Sequence, residues 1–356
     1  MNNSLWSKFK WIINVYRELR KNSYPLTTKG TKLMVGALVS APSTGLIIQF
    51  LIPEEYLLSS INITSNEASF IALAMCIMTW LIGLALIIFE LRKVTSSARE
   101  SARVLITGLP GTSIHFPNNI LTKAEQVMAR EAVELSIPES NTGQLDYQIE
   151  RYNAELCVDL FKRFILHDNC NKVYIGGLAR IPFLVSYGAF LRNVSAKVTY
   201  FDKLHRNGDW VLLNDEDKEI SFFDFQLSSP NKDGDVGIAI GFSSQISIEH
   251  LPVGLREHTT ILQAKNGEDR NLIQNQENLQ RISETVRNLI EKLSHIQTCQ
   301  RIHLFLSVQS TLAIELGRRY QEGTQCNWVI HNFDYPNKKY DWAVELSKEG
   351  IKEFNY

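Results

Sequence analysis

The chain has 356 residues, a formal net charge of −1 and five cysteines. That length holds two or three compact units, and a balance so near neutral excludes a protein whose work is to coat bulk DNA or RNA. The cysteines (Cys76, Cys157, Cys170, Cys299 and Cys326) form no CxxC pair, which argues against a zinc site or a disulfide framework and suits a reducing cytoplasm.

Residues 1–30 include "SLWSKFKWIINVYRELRK", where Leu5, Phe9, Ile12, Ile13 and Tyr16 recur at helical spacing opposite a basic face. The pattern predicts an amphipathic helix that lies on the inner leaflet or packs on the soluble part. Residues 31–92 contain two uncharged runs, Leu33 to Ile52 and Ser69 to Phe89. Each is long enough to cross a hydrocarbon core of about 30 Å as a helix, so a two-span membrane hairpin is expected. Lysines and arginines flank both runs, from Lys8 to Lys32 and from Arg92 to Arg103, and the connecting "PEEYLLSSINITSNEA" has none. This predicts a multi-pass membrane protein with both termini cytoplasmic. Gly36, Ser40, Ala41 and Gly45 give the first run a small side, suited to packing on other copies or on its own second span. Residues 93–102 read as a linker.

Beyond the linker, "VLITGLPGTS" reads as a strand and turn, Lys123 to Leu135 as helix, and Leu145 to Leu166 as a long amphipathic helix. "KVYIGG", a helix opened by Pro182, and "AKVTYF" complete a first half, residues 103–230. The second half, residues 231–356, repeats the order with "DVGIAIGFSS", "TTILQA", a helix from Asn271 to Ile296, "IHLFLS", "TLAIELGRRY" and "CNWVIHNF". Gly188 superposes on Gly317, 129 residues later, and the same shift places Cys170 on Cys299 and Ile175 on Leu304. The chain is thus an α/β protein with one Rossmann-like pattern used twice.

In such sheets ligands bind beyond the carboxyl ends of the strands. The turns expected there hold Gly108, Thr112 and Ser113; Gly177, Leu178 and Arg180; Ser243, Ser244 and Gln245; and Ser307, Gln309, Ser310 and Thr311. Their backbone N–H groups and hydroxyls could reach phosphate oxygens, with Pro182 as first helical residue and Ser310 as N-cap. None completes GxGxxG or GxxxxGK[ST], and no HExxH or GxSxG appears. The residues therefore point to a receptor without cofactor or metal, not to an enzyme.

"IHLFLSVQSTLAIELGRRYQ", then "NWVIHNFD" and Tyr340-x-Trp342-Ala343-x-Glu345-Leu346, resembles the SAVED domain, over roughly Arg103 to Leu346. That family fuses two CARF-like Rossmann units and binds cyclic oligonucleotides made by bacterial CD-NTase enzymes in CBASS anti-phage defence. With two preceding spans, the chain is similar to membrane-spanning SAVED effectors. "SVQST" departs from the Ala/Pro-type turn common in the family. The resemblance implies a cyclic tri- or tetranucleotide ligand, assembly of several copies on binding, and damage to the lipid bilayer. Trp210 or Trp342 would stack on a base or wall its own core. A membrane-tethered ring nuclease and a passive membrane scaffold are the competing readings.

Overall fold

A computed structural model of the chain describes residues 25–40, 67–109, 115–128, 132–136, 145–157, 170–192, 196–205, 208–213, 220–265, 267–347 and 349–355. It divides into two compact units, Met1–Arg99 and Glu100–Tyr356.

The first unit contains helices α1 (Pro25–Ser40) and α2 (Glu67–Arg99) packed on each other. They cross at glycines. A Cβ on Gly30 would run into the Gly83 carbonyl oxygen and one on Gly83 into that of Gly30, both inside 3.0 Å, so no larger residue permits this approach. The buried Glu90 carboxylate accepts the N–H groups of Leu26, at 3.3 Å, and Thr27, filling the place of an N-cap from another helix. Ala74–Ser96 of α2 is long and apolar enough to cross a membrane and is the one such helix among the described residues. The other expected span is described only to Ser40, and the amphipathic segment, Ala41, Gly45 and the connecting loop lie outside the described residues. Of residues 93–102, expected as a linker, 93–99 are the last two turns of α2 and Ser101 and Ala102 already belong to β1.

The second unit holds two sheets. The first is ordered β2-β1-β3-β4-β5, built from β1 (Ser101–Thr107), β2 (Ala132–Ser136), β3 (Lys172–Leu178), β4 (Lys197–Lys203) and β5 (Trp210–Leu212). The second is ordered β11-β10-β9-β8-β6-β7, from β6 (Asp235–Gly241), β7 (Thr259–Gln263), β8 (Arg301–Ser307), β9 (Asn327–Asp334), β10 (Lys339–Ser347) and β11 (Gly350–Phe354). From its β7 edge the second sheet repeats the order of the first and adds one strand. The first four strands of each are parallel and the rest antiparallel. Central strands such as β8, "RIHLFLS", are continuous apolar runs because both faces are covered. The helix expected from Lys123 to Leu135 is instead α3 (Lys123–Met128) followed by β2: "AVELS" supplies the edge strand on β1 that the repeat requires. β11 is a strand the sequence reading missed.

Helices α4 (Leu145–Cys157) and α6 (Gln276–Ser294) cover the sheets, and α5 (Ile181–Phe190) and α7 (Ser310–Arg318) join them. Asn275 caps α6 by accepting the Asn278 N–H at 2.6 Å. α5 packs on β9 and β10 of the other half, and α7 on β3 and β4. The two cross where the repeat aligned its glycines. A Cβ on Gly188 would strike the Ile314 carbonyl oxygen, and one on Gly317 the Val185 carbonyl oxygen. Val185 and Ile314 are themselves 129 residues apart, so the contact is self-complementary, as at a two-fold axis. Nine of the ten α5 residues are buried there. Asn153 of α4 then closes the far edge, giving its Nδ2–H to Ile351 O at 2.8 Å and accepting the Ile351 N–H at 2.9 Å, so that an amide side chain occupies part of the free edge of β11.

Candidate functional site

Each sheet reverses its winding between the first and third strands of its half, β1/β3 and β6/β8, and the predicted turns stand at these two points. Gly108 donates its N–H to Leu178 O at 3.0 Å. Phe242 and Ser243 both donate to Ser307 O, at 2.9 and 2.8 Å, and the Ser244 and Ser307 hydroxyls meet at 2.7 Å. The fold therefore brings Ser243, Ser244 and Ser307 together, with Gln245 exposed beside them. It also spends three of the amides expected to cradle phosphate on the neighbouring strand's carbonyl. Thr112 and Ser113 lie outside the described residues.

Gly177 and Leu178 are in β3, not in a turn. A Cβ on Gly177 would meet Ile106 and Leu184, and one on Gly176 the Phe201 ring, so the Gly-Gly pair makes room for packing. Arg180 is the N-cap of α5, half-buried, with Pro182 second in the helix instead of first. Its counterpart Gln309 is the N-cap of α7, which makes Ser310 the first helical residue; neither cap side chain bonds its own helix start.

Gln309 turns instead toward the seam between halves. Its Oε1 accepts the Ile273 N–H at 2.5 Å, and its Nε2 donates to Ile273 O and to Asp202 Oδ2, both at 3.1 Å. Asp202, next to last in β4, also accepts the Lys203 N–H at 2.8 Å and the Thr311 hydroxyl at 3.4 Å. Asp202 and Thr311 are buried. Asp202 and Gln309 floor a cavity of about 420 Å³, walled by Leu204, Val211, Leu212, Leu213 and Ile273 and edged by Asp269, Asn271 and Gln274. Burial pushes the Asp202 carboxyl up to about 6, and its three hydrogen-bond donors hold it from rising further. An apolar hollow with a few converging polar groups and a perturbed carboxyl, at the carboxyl end of a strand, is the usual form of a small-molecule site. Asp202 stands in a strand with no partner carboxylate near it in sequence, and its spacing carries no sign of this role.

Of the tryptophans, Trp210 lies edge-on to Phe201, ring centroids 5.4 Å apart, against the cluster of Leu105, Phe116, Leu121 and Tyr174, away from the cavity lining. Trp342 packs on Phe183 of α5 at 5.9 Å, across the seam. At the other end of the seam, Tyr200 donates to Glu315, which also binds Arg318 at 2.9 Å.

Solved structures similar to the chain include the SAVED/CARF-domain containing receptor Cap4 of Acinetobacter baumannii. With the cyclic trinucleotide 2'3'3'-cAAA it is 16% identical at a TM-score of 0.48, and with 3'3'3'-cAAA 16% at 0.47; each match covers 78% of this chain and 60% of that one. Cap4 of Moraxella osloensis is 15% identical at 0.41, covering 82% and 60%. The chain thus spans about 60% of the length of these receptors. No curated protein matches in sequence. The SAVED family, described as a "SMODS-associated and fused to various effectors sensor domain", matches residues 159–346. That stretch begins ahead of β3 and leaves β1 and β2 outside, yet it takes in both glycine-crossed helices and the whole floor of the cavity. Covering more than half of the sequence, it makes this chain a member of the SAVED family.

Proposed function

We propose that the chain is a membrane-bound receptor for a cyclic oligonucleotide and that binding drives assembly and breach of the bacterial inner membrane in anti-phage defence. The observation that carries this reading is the cavity at the seam, where β4 of one half and the start of α7 of the other supply a single polar floor. Membership of a sensor family supports it. The apolar stretch of α2 and its glycine crossing with α1 support a membrane hairpin. Two helices are too few to enclose an aqueous pore, so damage requires several copies.

The test is calorimetry on the purified full-length protein with cyclic tri- and tetranucleotides, followed by analysis of the recovered ring and by dye release from vesicles. A receptor returns the ring intact and leaks dye only when liganded; an opened ring would mark a nuclease, and no binding a scaffold. Arg180→Ala should raise Kd in keeping with loss of a charge-assisted hydrogen bond, about 1.5–3 kcal/mol. An unchanged Kd removes Arg180 from the site.

A further inference from the structure

Resting on that receptor reading, we infer that the cavity at the seam is a base pocket, and that Asp202 reads the exocyclic amino group of one nucleobase of the ring. At about 420 Å³ the cavity lies toward the small end of ligand pockets, roughly 300 to 1,000 Å³, with room for one nucleoside and not for a whole ring. Its apolar walls suit a base face. Two carboxylates, Asp202 and Asp269, line it, and neither lysine nor arginine is among the described lining residues. A phosphate there would be repelled, so the ring's phosphates stay outside and a base enters.

The direction of the hydrogen bonds then selects the base. The Gln309 amide is committed: both Nε2 hydrogens go to Asp202 and Ile273 O, and Oε1 takes the Ile273 N–H. Asp202 receives three donors, from Lys203, Gln309 and Thr311. A carboxylate offers about four acceptor positions, so one remains, and a carboxylate only accepts. An amino group, as on adenine, satisfies it. A carbonyl in the same place, as on hypoxanthine, faces a negative oxygen and costs two unmet acceptors.

Asp202→Asn reverses the chemistry. The single amide oxygen serves Gln309 and Thr311, the two donors that share Oδ2, so the Nδ2–H group takes the place of Oδ1, the oxygen with one donor, and faces the ligand. Titration of full-length protein with cyclic triadenylate and tetraadenylate, and with their inosine counterparts, should show the adenine ring binding about 10- to 100-fold more tightly to the wild type. In Asp202→Asn that ratio should fall at least tenfold. Val211→Trp, which fills the cavity from β5, should abolish binding of every ring. An adenine-to-inosine ratio near one in the wild type, a ratio unchanged by Asp202→Asn, or undiminished binding to Val211→Trp overturns the base pocket and leaves the receptor reading standing. Failure of the wild type to bind any ring overturns both.

Discussion

Gly317→Ala tests the joint between the halves. The added Cβ would strike the Val185 carbonyl oxygen and the Ala189 nitrogen, which are backbone and cannot swing aside, so α5 and α7 must part. Overpacking of a core costs about 1–3 kcal/mol, and a backbone obstacle belongs at the upper end. Alanine recovers about 1 kcal/mol of helix propensity over glycine. The net loss is therefore about 2 kcal/mol, or about 4–8 °C in Tm for a unit of this size. Thermal unfolding of the full-length protein in detergent measures it, with Gly254→Ala as control, since a Cβ there meets nothing within 4 Å. Gly188→Ala should cost a similar amount, and the double variant less than the sum, because one separation of the helices serves both side chains. An unchanged or raised Tm for Gly317→Ala refutes the crossing.

Two buried groups give opposing pH dependences. The Asp202 carboxyl is raised from 3.8 to about 6 by burial, so it favours the fold below pH 4 and this contribution, about 3 kcal/mol, is lost as pH rises through about 6. Unfolding of wild type and Asp202→Asn from pH 4 to 8 should differ by that slope; parallel profiles would refute the raised carboxyl, Asp269 being common to both. His331 is fully buried, bonded to His303 at 2.9 Å and stacked on Phe305, and burial followed by the His303 neighbour holds it well below its ordinary range. Its contribution is present above pH 6.5 and lost as pH falls, by up to about 1.4 kcal/mol per unit. His331→Gln, which keeps a partner for His303, should therefore be less acid-labile than the wild type below pH 6.5; an identical acid limb would refute it.

The repeat was legible in the sequence because it rests on constraints that a line of text preserves. Gly188 and Gly317 must both be glycine for the helices to touch, and the apolar runs of β3 and β8 must both be buried on two faces. β2 was hidden because "MAREAVELS" continues a helical period and becomes a strand only when β1 offers an edge. Gly176 and Gly177 were read as a turn for a related reason. A glycine that admits Phe201 or Leu184 looks the same in sequence as one that bends the chain.

For the candidate site, the turns were legible and the cavity was not: of the described turn residues read from the sequence only Gln309 lines it. Strand order alone places the turns at the carboxyl ends of β1, β3, β6 and β8, but whether an amide there is free depends on register. Register gives those of Gly108, Phe242 and Ser243 to Leu178 and Ser307. The polar floor is less visible still, because Asp202 and Gln309 stand 107 residues apart and no local pattern couples them. Their pairing has an energetic consequence for the architecture. A carboxylate buried in one half without the donors of the other would carry a desolvation cost that Lys203 N–H alone cannot offset. The first half, expressed without the second, would also leave α5 uncovered along the face that meets α7, β9 and β10. The two halves are consequently one folding unit, and a ligand in the cavity touches both at the place where each is incomplete without the other.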